Sequence, residues 1–66
     1  MKLLDVVALK TDVSEHGLVA GQVGTLVENL AEDVYLVEFS DTTGQTYALL
    51  PIEESDLLSL KYAKVA

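Results

Sequence analysis

The chain has no cysteine, no arginine and no tryptophan, and only one histidine (His16) and one proline (Pro51). The lack of cysteine excludes a disulfide framework and any thiolate metal site. A lone imidazole leaves no second one for a zinc site within one chain, so no metal or cofactor is expected. Positive charge is scarce as well. Four lysines, at positions 2, 10, 61 and 64, stand against eleven carboxylates, giving a net charge of -7. Nucleic-acid binding draws most of its affinity from cations neutralising phosphates, and anionic lipid repels an acidic surface. Neither DNA, RNA nor a membrane is therefore an expected primary partner. Long apolar runs are missing too. Met1-Lys2-Leu3-Leu4 is broken at once by Asp5, short of a signal peptide's apolar stretch. No window approaches the roughly 18 apolar residues of a membrane-spanning helix. The expected location is the cytoplasm.

What is present is apolar: half of the 66 residues. A chain this short forms one domain, residues 1–66, and buries only about 60% of the surface its unfolded form exposes. Small domains usually draw support from disulfides, a metal or association. With the first two excluded, a dense core, self-association or docking onto another protein remains. Apolar residues in excess of what the core holds lie on the surface, where a contiguous patch marks an interface.

Short runs rich in Val, Leu and Tyr, separated by Gly, Asp, Ser and Thr, predict strands. The first spans Asp5–Lys10, followed by a loop over Thr11–Ala20. The second runs Gln22–Leu30, the third Val34–Ser40 after the turn Ala31-Glu32-Asp33, and the fourth Gln45–Leu50 after the hairpin turn Asp41-Thr42-Thr43-Gly44. Pro51, having no N–H, is expected to stop the ladder. Pro51–Asp56 then makes one helical turn, Leu57–Lys61 a short closing strand and 62–66 a loosely held tail. The fold class is all-β: a small five-stranded SH3-like barrel with one short helical turn before the last strand. An open meander that pairs its free edge with another chain is the competing architecture. In the third strand Tyr35, Val37 and Phe39 face the core, which leaves Leu36 outside. In the fourth, Tyr47 and Leu49 oppose Thr46, Ala48 and Leu50, and either set fits the inside. Val6-Val7-Ala8-Leu9 is apolar on both faces, so one face meets something other than this core.

Gly21-Gln22-Val23-Gly24-Thr25-Leu26-Val27 is similar to the glycine-centred turn and strand of KOW-type SH3-like domains. Gly21 suits a tight reversal, Gly24 a close approach by a neighbour, and Gly44 a turn of positive φ. KOW domains bind RNA or ribosomal partners through basic loops, which this chain lacks. A wider resemblance rests on Leu3–Leu9, Gly21–Thr25, Val37–Asp41 and Gly44–Ala48. Together they resemble a family of small stand-alone bacterial proteins, common in cyanobacteria and catalogued only as a domain of unknown function. That resemblance implies a barrel and an accessory protein acting on a partner, with no assigned activity.

No catalytic set emerges. Glu28, Glu32 and Asp33 flank one turn, and the hydroxyls near His16 have nothing to orient a base. Asp41–Gln45 carries oxygens at alternating positions but lacks the bidentate carboxylate of a calcium loop. His16 is an exposed loop residue with a pH-sensitive contact as its functional reading. The expected function is a non-enzymatic protein-interaction module, an accessory or antitoxin-like partner subunit. Its contact residues are Val6, Ala8, Leu18, Leu36, Tyr47, Glu53, Glu54 and Asp56, and Tyr62 is the next ring after Tyr47. The partner is another protein with a basic or apolar surface, or a second copy. A KOW-like nucleic-acid or ribosome-associated domain, using Lys2, Lys10 and Lys61, is the alternative.

Overall fold

A computed structural model of the chain describes residues 1–61. Its strands are β1 (Val6–Leu9), β2 (Val23–Ala31), β3 (Val34–Ser40), β4 (Thr46–Glu53) and β5 (Leu57–Ser59). Single 3₁₀ turns lie at Ser14–His16 and Glu54–Asp56, and there is no α-helix among the described residues. No helix there is long and apolar enough to cross a membrane. The five strands form one antiparallel sheet in the order β4-β3-β2-β1-β5.

The period-2 alternation of β3 puts Tyr35, Val37 and Phe39 into the core. Opposite them, β4 turns Leu50 and Ile52 inward with Ala48 packed beside them, so the even-numbered set is the inner one. Leu26 of β2, Val7 and Leu9 of β1, and Leu57 of β5 complete one cluster. The sheet thus curls around a single core shared by its two outermost strands, giving a small barrel-like fold. It is not closed, since β4 and β5 are not paired to each other. The 3₁₀ turn Glu54–Asp56 carries the chain across that gap, just before the last strand, as the sequence predicts.

Curling this tight needs bulges and a thin spot. Register shifts occur in β2 between Leu26 and Glu28 and again between Asn29 and Ala31, and in β4 between Thr46 and Ala48, opposite Ser40 and Phe39. Each adds local twist. The thin spot is Gly24, where an added Cβ would stand 2.7 Å from Val37 Cγ1 and 3.0 Å from Phe39 Cδ1. Only glycine lets β2 lie over those two buried side chains.

Four expectations are corrected. Pro51 does not stop the ladder: β4 continues through it to Glu53, with Pro51 opposite Leu36. An edge strand tolerates proline because half of its N–H groups face away from any partner. The helical turn accordingly begins at Glu54 rather than Pro51. β5 ends at Ser59 rather than Lys61, although the Leu60 N–H still donates to the Val6 carbonyl at 3.0 Å. Leu18, expected as a surface contact, is only 3% exposed and belongs to the core. Val13 and Leu18 exchange backbone hydrogen bonds of 2.9 and 3.1 Å, which folds the β1–β2 connection back and turns Leu18 inward. The expected tail, Tyr62 included, lies outside the described residues.

Polar groups tie the ends down. The Tyr35 hydroxyl donates to the Met1 carbonyl at 3.0 Å, and Asp5 accepts from the Lys2 N–H at 3.0 Å. Burial, and after it the neighbouring Glu54 carboxylate, pushes the Tyr35 phenol above its usual range. At the β3–β4 turn, one oxygen of Asp41 accepts from the Thr43 N–H, the Thr43 hydroxyl and the Gln45 N–H at 2.7–3.0 Å. The Thr43 hydroxyl first, then the backbone donors, hold the Asp41 carboxyl below the usual carboxylate range.

Candidate functional site

Two surfaces stand out, and they are built differently. The first is the outer face of β2-β1-β5. Val7 and Leu9 point inward, so Ala8 points outward, with Val23 of β2 on one side and Leu58 of β5 on the other. Val23 and Leu58 are 46% and 52% exposed, whereas Ala8 between them is 7% exposed. Ala8 was expected to be a contact residue itself. Its methyl group is instead the covered floor of a row whose walls are the larger side chains. Val6, half-buried, lies one step along the same face opposite Thr25. This row carries no charge.

The second surface is a cleft of about 530 Å³. One wall is the β1–β2 connection, Thr11–His16; the other is Leu50–Glu53 of β4 with Asp56 of the second 3₁₀ turn. The wall positions are fixed by hydrogen bonds just after β1 and within the loop. Lys10 N–H donates to the Asp56 carbonyl at 2.8 Å, and Asp12 accepts from the Ala20 N–H at 2.8 Å. Val13, Leu50, Pro51 and Ile52 supply the apolar lining, Leu50 and Ile52 being nearly buried, while Asp12, Glu15, Glu53 and Asp56 supply four carboxylates. His16 lines the same cleft, and no lysine does among the described residues. Nowhere in the described residues do three or more Asp, Glu, His or Cys side chains gather as a metal ion requires.

The expected contact residues therefore divide. Glu53 and Asp56 meet in the cleft, joined by Asp12, Glu15 and His16 from the loop. Glu54 is half-buried in a smaller cleft with Lys10, Asp33 and Glu53, beside the Tyr35 phenol. Val6 and Ala8 lie on the outer face, and Leu36 is half-buried on the outside of β3 opposite Pro51. Tyr47 is apart from all of these. It is the residue skipped at the β4 register shift, its ring centroid 6.3 Å from that of Phe39, and its hydroxyl accepts from Gln22 Nε2 at 3.2 Å. Val23 and Leu58 were missed. The signal for Leu58 was the doublet Leu57-Leu58 in a short strand, where alternation sends one of the two outward.

Gly21, Gly24 and Gly44 do stand at a turn, a close approach and a turn: Gly21 and Gly44 have φ of +94° and +87°. No curated protein matches the chain, and no solved structure does. Residues 3–59 match the model of a domain of unknown function, DUF4926. That span takes in all five strands and both walls of the cleft, and the chain belongs to the DUF4926 family.

Proposed function

We propose that this protein is a non-enzymatic interaction module, an accessory or antitoxin-like partner subunit that binds a different protein. The observation that carries the reading is the uncharged pair Val23 and Leu58, about half exposed on either side of the covered Ala8 and outside the core cluster. A partner with a basic or apolar surface fits better than a second copy, because two copies at -7 each repel. A stable interface takes about 800 Å² from each side, roughly a sixth of the chain's 4569 Å². The row is too small to supply that alone, so the interface extends onto flanking surface. Strand addition is not the mode: β4 carries Pro51 at its edge and β5 has three residues.

The test is affinity purification of tagged protein from its native host with nuclease present, repeated with Leu58→Asp. One stoichiometric protein partner, lost with Leu58→Asp, is the expected result. Nucleic acid recovered without any protein when nuclease is omitted would replace this reading with the KOW-like one.

A further inference from the structure

We propose that the cleft between the β1–β2 connection and the β4–β5 turn receives a basic, extended segment of the partner protein. Lysine or arginine side chains of that segment meet Glu15, Glu53 and Asp56, and an apolar side chain between them rests on Pro51. The inference rests on the interaction reading above and adds the site and its chemistry.

Several observations converge on this occupant. Carboxylates come from both walls, with no lysine among the described lining residues, so the cleft complements positive charge. The carboxylates do not gather as a metal ion requires. Charge spread along a cleft suits several cations held at intervals on a chain rather than one compact ion. The β4 wall also carries apolar residues, with Pro51 exposed and Leu50 and Ile52 only 6% exposed. The exposed Pro51 ring rewards an apolar side chain, which a small hydrophilic cation does not have. The walls are also prepared before binding. The Val13–Leu18 bridge, the Asp12–Ala20 bond and the Lys10–Asp56 bond hold them in place, which lowers the ordering cost on association. Pro51 leaves the β4 edge short of a donor, so recognition runs through side chains.

The probe is a fluorescent ten-residue peptide of alternating lysine and valine, with a glutamate-for-lysine counterpart and spermidine as comparisons. Amide chemical shifts of the full chain map the binding. The expected result is saturable binding of the lysine peptide, with shifts confined to Thr11–His16 and Leu50–Asp56. E15Q/E53Q/D56N together should weaken it about tenfold, at the modest value of each exposed charge pair, whereas Leu58→Asp should leave it unchanged. Shifts elsewhere, equal binding by the glutamate peptide, or an unaffected triple variant would overturn the site. Spermidine binding as tightly as the peptide would overturn the protein segment as its occupant. A native partner held equally by the triple variant and the wild type would sink the cleft while leaving the interaction reading intact. Peptide bound at the cleft with no native protein partner would overturn the interaction reading and, with it, a partner segment as the occupant.

Discussion

The two faces of this one sheet are made from the same residue types and obey different rules. On the inner face Leu26 and Phe39 share a buried cluster with Leu18 of the β1–β2 connection, and Gly24 is where a side chain would not fit. On the outer face Val23 and Leu58 stand about half exposed with nothing of the same chain over them. Hydrophobicity alone does not separate the two. What separates them is whether neighbouring strands bring other apolar atoms into contact, and that is a property of register and curvature.

The comparison is sharpest with one residue type on each side. Leu18→Ala should cost about 2–5 kcal/mol, the usual range for a buried leucine. For a chain of this size that is a large share of the total stability, so the urea midpoint should fall steeply. A small shift would mean the loop opens without exposing the core. Gly24→Ala should cost about 1–3 kcal/mol, since a methyl group at 2.7 Å from Val37 Cγ1 forces β2 away from β3. An unchanged midpoint would show that the two strands slide apart freely.

Asp41 belongs to neither face, and its charge is used inside its own turn. Its carboxyl is held low in the folded state, so its contribution is present above the unfolded value of about 3.9 and is lost as pH falls below it. Asp41→Ala should therefore lower Tm at pH 7, with the two melting curves converging in acid. A gap that persisted unchanged at low pH would show that the charge was not responsible. Leu58→Ala should change stability least, within about 0.5 kcal/mol. A loss comparable to that of Leu18→Ala would abolish the distinction between the faces and with it the case for an outer contact surface.

Much of the fold was legible because local signals agreed. Alternation in Tyr35–Phe39, the Asp41–Gly44 turn and the glycine at 24 each state a backbone requirement that holds whatever the neighbours are. Three readings failed for one reason. Leu18 looked like a loop residue until Val13 bridged to it, and Pro51 looked like a strand terminator until β4 proved to be an edge. Ala8 looked exposed until Val23 and Leu58 flanked it. Each depends on which strand lies alongside. Of the candidate site, Glu53 and Asp56 were found from the acidic run itself. Asp12 and Glu15 were not, because they join it only across the fold.

Composition by itself determined that this chain has no disulfides and no thiolate metal site, that it is strongly acidic, and that its strands are short and apolar. Tertiary structure decided which apolar residues are core and which are surface, and it decided that carboxylates from the first loop and the last turn share one cleft. Burial and electrostatic fields are set by distances through space. Two residues far apart in the chain acquire such a distance only once the sheet has curled.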